Sequence, residues 1–311
     1  MVLRVATNMS VSRKLLGAIT ATLVVVSAAV AGPLEDGAAA YLRGDYASAL
    51  RLHRPLAEQG IAAAQFTLGI IYHDGFGMPK NYNEAAKWFQ KAANQGHAAA
   101  RTALGDMYYH GRGLPQDYVQ AAKWFRLAAD QGATVAQLRL GGMYGAGQGL
   151  PKDFAEGAKW LRKAAEQGNA GAQVLLALQY RNGMGVTQDH AEAAKWFRLS
   201  AEQGNAVAQG TLGAMYLGGQ GVLQDFAEAT KWLQKSADQG HAEAQNLLGL
   251  SYMTGYGVPV DNVRAYMWLN LSAVQGFKGA ETNRSQLLLQ MTPAEIAEAQ
   301  KLAREWKPVQ Q

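Results

Sequence analysis

The first residues in this sequence that could do chemistry are glycine pairs: Gly75/Gly77, Gly111/Gly113, Gly147/Gly149, Gly183/Gly185, Gly219/Gly221 and Gly255/Gly257. A glycine-rich loop ahead of a helix can cradle a phosphate on its backbone N–H groups. A phosphate loop, however, follows a strand. These pairs follow helical stretches and recur throughout, and no Gly-x-x-x-x-Gly-Lys run accompanies them, so they read as turns. The carboxylates Glu84, Glu156, Glu192 and Glu228 are the next candidates, since paired acids can share acid–base work. They stand one per unit in stacked units spaced about 10 Å apart, which makes a row rather than a pair. A penicillin-type serine needs Ser-x-x-Lys, and none occurs. No His-Glu-x-x-His occurs, and His53, His73, His97, His110, His190 and His241 lack ligand spacing. Without any Cys there is no thiol nucleophile, Cys–metal site or disulfide framework. The residues therefore predict no catalytic site, no metal and no cofactor.

What positions these residues is a repeat. Gln-Gly closes at Gly60, Gly96, Gly132, Gly168, Gly204, Gly240 and Gly276, always 36 residues apart. Trp88, Trp124, Trp160, Trp196, Trp232 and Trp268 keep the same step, as do Tyr72, Tyr108, Tyr144, Tyr180, Tyr216 and Tyr252. Such a period marks stacked supersecondary units. Residues 61–96 read as two antiparallel helices. Leu68, Ile71 and Tyr72 give the first one apolar face, and Gly69 admits a close neighbour. Gly75 ends it in the left-handed conformation and Pro79 stiffens the link. The second helix is predicted to open with a reciprocal capping box: Asn81/Glu84, Asp153/Glu156, Asp189/Glu192 and Asp225/Glu228, with Asp117/Gln120 as a variant and Asp261/Arg264 breaking the pattern. Ala85, Trp88, Phe89 and Ala92 make its buried face, and Trp88 and its equivalents should anchor the seams between units. Lys87, Lys123, Lys159, Lys195 and Lys231 precede each Trp and read as a solvated stripe with stems along the Trp edges. The fold class is all-α: a right-handed α-solenoid superhelix of antiparallel helix pairs with a 36-residue period.

The organisation predicted is a signal peptide at 1–31, a capping helix pair at 32–60, repeats at 61–96, 97–132, 133–168, 169–204, 205–240 and 241–276, and capping helices at 277–311. Arg13 and Lys14 precede an apolar run from Leu15 to Val30, and Ala29-Val30-Ala31 suits a signal peptidase, so cleavage is expected after Ala31. An uncleaved anchor is the alternative, and either Met1 or Met9 fits as the start. Removing residues 1–31 takes Arg4, Arg13 and Lys14 and no acid, so the net charge falls from +5 to +2. That leaves no basic stripe for nucleic acid. A periplasmic or secreted location is expected, with no membrane insertion after cleavage. At the far end, Ala280–Gln290 and a helix starting at Thr292-Pro293-Ala294-Glu295 should cover the last repeat face through Ile296, Ala299, Ala303 and Trp306.

The unit Leu104-Gly105, Tyr108, Gly111, Gly113, Asp117 and Ala121-Ala122-Lys123-Trp124-Phe125 resembles the Sel1-like repeat family, a relative of the tetratricopeptide repeats. The resemblance covers about residues 33–280. It implies the right-handed superhelix and a role as adaptor or scaffold. Exported bacterial members act as periplasmic regulators, envelope-assembly factors or host-interaction factors. It therefore implies a protein partner, with a periplasmic negative regulator of a membrane sensor kinase as a narrower alternative. Members with a Cys pair per repeat have been described as penicillin-binding or β-lactamase-like, and this chain lacks Cys. A peptidoglycan-acting or β-lactam-hydrolysing enzyme is the rival of another class.

By likeness to tetratricopeptide arrays, the first helix of each pair lines a concave groove. The groove positions are then Phe66, Ile70, His73 and Asp74; Thr102, Asp106, Tyr109 and His110; Val174, Leu178, Arg181 and Asn182; and Leu217, Asn246, Leu250 and Met253. These slots vary while the frame repeats, as a groove selecting one peptide or helix requires. They equally fit unconstrained solvated positions. Gly142, Gly145, Ala146, Gly210 and Gly218 leave either a hollow for a bulky element or room for tight curvature.

Overall fold

A computed structural model describes residues 28–309. Among the described residues there are sixteen helices and no strand. They form two compact units, one up to Lys163 and one from Ala164. The first holds α1 (Ala28–Leu42), α2 (Tyr46–Glu58), α3 (Ala62–Asp74), α4 (Tyr82–Asn94), α5 (Ala98–His110), α6 (Tyr118–Ala129) and α7 (Thr134–Ala146); α8 (Phe154–Glu166) carries the boundary. The second holds α9 (Ala170–Asn182), α10 (His190–Glu202), α11 (Ala206–Gly218), α12 (Phe226–Asp238), α13 (Ala242–Thr254), α14 (Asn262–Val274), α15 (Lys278–Leu288) and α16 (Pro293–Glu305). Within each unit a first helix packs on its own second helix and on the second helix of the pair before, as α5 does on α6 and α4 and α13 does on α14 and α12. The chain is thus an all-α solenoid, because a lone pair leaves one apolar side open and the next pair closes it. The predicted leader falls largely on residues 1–27, outside the described residues, and α1 contains the predicted cut after Ala31.

The small frame residues mark where helices touch. A Cβ on Gly69 or Gly105 would run into the rings of Phe89 or Phe125, and one on Gly213 or Gly249 into Leu233 or Leu269. Those four large side chains are buried. Each first helix ends as expected: Gly111, at φ 66°, donates its N–H to the carbonyl of Met107. Three framework tyrosines tie their pair to the one before. The hydroxyl of Tyr72 accepts from Arg54 at 2.6 Å, that of Tyr144 from Arg126 and that of Tyr216 from Arg198.

The caps of the second helices are only half of the expected box. Asn81, Asp153, Asp189 and Asp225 each accept from the backbone N–H three residues on, a bond whose loss costs about 1 kcal/mol. Their own backbone N–H groups are already spent on the carbonyls of Tyr72, Tyr144, Tyr180 and Tyr216. With nothing to reach back to, Glu84, Glu156, Glu192 and Glu228 pair with Lys87, Lys159, Lys195 and Lys231 at 2.9–3.2 Å. The full reciprocal box forms at Thr292/Glu295. The lysines that lie on tryptophan also differ from expectation. Lys91, Lys163 and Lys235, three residues after Trp88, Trp160 and Trp232, sit 4.1–4.5 Å from the ring centres. That is the i, i+3 neighbour on a helix, whereas Lys87 stands beside its Trp and points away.

The Gln of each Gln-Gly turn does more than end a helix. In the second unit, Gln209 donates to the carbonyl of Ala201 at 3.0 Å and accepts from Gln239 at 2.7 Å. Gln173 does the same with Ala165 and Gln203, and Gln245 with Ala237 and Gln275. Gln65 and Gln95 repeat it in the first unit, where Arg101 replaces this Gln in the next pair and donates to Ala93. Gln65, Gln173, Gln209 and Gln245 are buried and each ties three helices together. Gln209→Ala leaves one carbonyl and one amide without that partner, so its urea midpoint should report a loss of about 2 kcal/mol.

α1 runs unbroken through Gly37, which lies under the ring of buried His53. At the other end, α16 packs on α14, the second helix of the last repeat, as its apolar stripe predicts. Trp306 meets Trp268 edge-on at 6.0 Å, and Val309 donates to the carbonyl of Asp238 at 2.8 Å. The outward side of α15, with Glu281, Thr282, Ser285 and Gln286, is polar and exposed. A polar end face needs no cover, which frees α16 to seal α14.

Candidate partner-binding face

The first helices of each pair leave a recurring strip open to solvent. In the first unit it runs over α3, α5 and α7; in the second, over α9, α11 and α13. The strip is narrower than predicted. Phe66 is 2% exposed, wedged between the rings of Phe89 and His97, and Ile70 is 7% exposed. Thr102 is buried and donates to Ala98; Val174 is buried; Asn246 is buried and accepts from Asn283 at 2.9 Å. These positions are corrected to core. The slot shared by Phe66, Thr102, Val174 and Asn246 turns inward, toward the second helices. The slot one residue later is partly open at Arg139, Leu175, Thr211 and Leu247 and buried at Thr67 and Ala103. A 100° step per residue makes a one-place error in phase enough to exchange face and core.

The other predicted residues reach solvent wholly or in part: His73, Asp74, Asp106, Tyr109, His110, Leu178, Arg181, Asn182, Leu217, Leu250 and Met253. In the first unit the strip is polar and aromatic. His73 contacts the carboxylate of Asp74 at 2.7 Å and stands edge-on to Tyr82. Tyr109 donates to Gln148 at 2.7 Å and lies edge-on to Tyr118 and His110. Partial burial raises the Tyr109 phenol above its ordinary range. Asp106 faces Arg139 at 3.1 Å, and burial raises its carboxyl despite that cation. In the second unit the strip is apolar: Leu175, Leu178, Leu217, Leu247, Leu250 and Met253 are all partly open, with Arg181 lying over the ring of Phe197. Gly210 is filled around by Ser236, His241 and Ala244, so it is a close approach and not a hollow, whereas nothing lies near Gly142.

His97 belongs to the frame rather than the strip. Its Nδ1 accepts from the N–H of Ala100 at 3.2 Å, capping α5, and burial lowers its pKa from 6.5 to about 4. The folded value lies below the unfolded one, so stability is whole above pH 6.5 and is lost as pH falls toward 4. Asn169 and Asn205 do the same capping without a titrating ring. His97→Asn should therefore narrow the gap between urea midpoints measured at pH 7.5 and 4.5.

Among the described residues no three His, Asp or Glu side chains converge as a metal set, and no helix is long and apolar enough to cross a membrane. The Sel1 repeat model matches residues 62–97, 98–132, 134–169, 170–205, 206–241 and 242–277. The chain belongs to the Sel1-repeat family. Its fold is similar to the crystal structure of a Sel1 repeat protein from Oxalobacter formigenes, at 32% identity and a TM-score of 0.69, over 77% of this chain and 96% of that one. Weaker likenesses are to a protective antigen of uropathogenic Escherichia coli (26% identity, TM-score 0.33, 89% of this chain and 84% of that one) and to a Sel1 repeat protein from Klebsiella pneumoniae (22%, 0.39, 76% and 97%). No curated protein sequence matches this chain. Sel1-repeat proteins are generally scaffolds for protein–protein interaction, and the Sel1 fold is typically non-enzymatic.

Proposed function

We propose that this chain is an exported scaffold that binds a segment of a partner protein along the open strip of its first helices. The observation that carries this reading is the contrast between frame and strip. Trp, Tyr, Gly and Gln recur unit after unit, while the strip changes from His73, Tyr109 and Arg139 to Leu178, Leu217 and Met253. Selection for folding alone explains the constant part. A variable, partly open strip on a rigid support is what recognition of one particular extended or helical segment requires. The apolar strip of the second unit suits the buried side of an amphipathic segment, and the polar strip of the first suits hydrogen-bonding groups. Export rests on the basic pair Arg13-Lys14, the apolar run that follows and the small residues ending at Ala31.

Two measurements test the two halves of this reading. Fractionation of expressing cells, followed by N-terminal sequencing, should find the chain outside the cytoplasm and starting at Gly32; a cytoplasmic chain that keeps Met1 or Met9 defeats export. Crosslinking from a photoreactive residue placed at Leu217 or Tyr109 should capture one stoichiometric protein, and a residue placed at exposed Lys159 should not. Equal capture from both places, or none from the strip, defeats the binding face.

A further inference from the structure

The six repeats serve as controls for one another, slot by slot. Where Asp106 stands, the others carry Ile70, Gly142, Leu178, Ala214 and Leu250. Where Arg139 stands, they carry Thr67, Ala103, Leu175, Thr211 and Leu247. The frame is thus built without charge at either place. A buried ion pair is, at best, about as good for stability as apolar side chains of the same volume. Something other than folding accounts for this one.

The pair is also incompletely used. The Arg139 Nε lies 3.1 Å from the Asp106 Oδ1, with the two side chains 15% and 18% exposed in the opposite order. The contact is electrostatic and not a formed hydrogen bond. Among the described residues, neither carboxylate oxygen of Asp106 nor the Nε–H of Arg139 has an aligned partner. Two acceptors and one donor are therefore unspent just beneath the open strip. Gly142, one turn along α7 from Arg139, leaves open space, since a Cβ there would meet nothing within 4 Å. Tyr109 and His110 stand one turn along α5 from Asp106 and wall the same place with aromatic surface.

We propose that Asp106 and Arg139 form a binding site for one primary carboxamide, the side chain of an Asn or Gln in the partner segment. This rests on the partner-binding reading above and narrows it. A carboxamide offers two N–H donors and one carbonyl acceptor, the complement of what the pair leaves unspent. A carboxylate would suit Arg139 but meet Asp106 as a like charge. An ammonium or guanidinium would suit Asp106 and be repelled by Arg139. The neutral amide meets neither penalty. To admit it, the flexible Arg139 side chain shifts into the room beside Gly142, and the amide then bridges carboxylate and guanidinium. Asp106 and Arg139 set specificity here and take part in no reaction.

The test uses a displayed library of random peptides selected on the full chain and, in parallel, on Asp106→Leu/Arg139→Leu. Both substitutions install the residue that other repeats carry in those slots, and thermal melting verifies the fold. Peptides recovered by the parent should share an Asn or Gln at one position. Its change to Asp or Glu should weaken binding to the parent about tenfold or more, as losing hydrogen bonds to buried charged groups does. The same change should matter little for the double variant, which should bind the original peptides at least about tenfold more weakly. Recovered peptides without a recurring carboxamide, or a double variant that binds them as tightly as the parent, overturn the carboxamide site and leave the strip standing. Recovery of no peptide by the parent overturns the partner-segment reading and the carboxamide site together.

Discussion

Gly149→Ala should lower the stability of the chain by about 3–5 kcal/mol, whereas Gly168→Ala, with the same change of residue, should cost about 1 kcal/mol. Both glycines have positive φ, 68° and 84°, and share the backbone penalty of a left-handed L-residue. They differ in what surrounds them. A Cβ on Gly149 would fall against the carbonyl of Tyr118 at the start of α6, whereas one on Gly168 would meet nothing within 4 Å. Backbone cannot rotate out of the way as a side chain can, so the turn and α6 must part. The arrangement recurs at Gly113 against Tyr82, Gly221 against His190 and Gly257 against Phe226. In these four Gly-x-Gly pairs the second glycine is thus the place where one repeat's turn rests on the preceding repeat's second helix. Urea unfolding of both variants decides the matter: equal losses would mean that turn strain alone, and no contact between units, explains these glycines.

Arg139→Leu alone should destabilise the fold by about 3 kcal/mol at pH 7, and adding Asp106→Leu should restore it to within about 1 kcal/mol of the parent. Removing the cation leaves a buried carboxylate uncompensated. Removing both leaves two apolar slots like those filled by Leu178 and Leu175 in the next repeat. The pH dependence has a definite sign. Burial already raises the Asp106 carboxyl from 3.8, and loss of Arg139 raises it further. Between the unfolded and folded values the folded state holds the extra proton, so stability falls as pH rises from about 4 upward. The deficit of Arg139→Leu should therefore be largest near neutrality and shrink on acidification. A deficit independent of pH, or a double variant as weak as the single one, would place the cost in lost packing of the Arg139 stem. This stability cycle is independent of any ligand, so its result bears on the ion pair whether or not a peptide is bound.

Helix positions were legible because they rest on local rules. Gly75, Gly111 and their equivalents stop the first helices, and Asn81, Asp117 and Asp189 start the second, through bonds made within four residues. Phe125 and Trp160 could be assigned to the core by periodicity alone. The strip was half legible. Tyr109, Arg181 and Met253 were placed on it, but Phe66 and Asn246 were not on it and Arg139 was missed. The signal for Arg139 was present, as a charged residue in a slot that other units fill with Leu, Thr or Ala.

By itself, then, the sequence determined a repeat of helix pairs, its period and the ends of each helix, because those depend on neighbours close along the chain. Tertiary structure decided which residue of each first helix turns outward and why the cap acids pair with lysine. Each of these is settled by groups about thirty residues or more away in sequence or by a competition for one backbone N–H, as when the carbonyl of Tyr144 claims the N–H of Asp153 and leaves Glu156 to Lys159. Periodicity carries the direction of a side chain only to within one residue, and that margin is enough to assign Phe66 to the strip when it lies in the core.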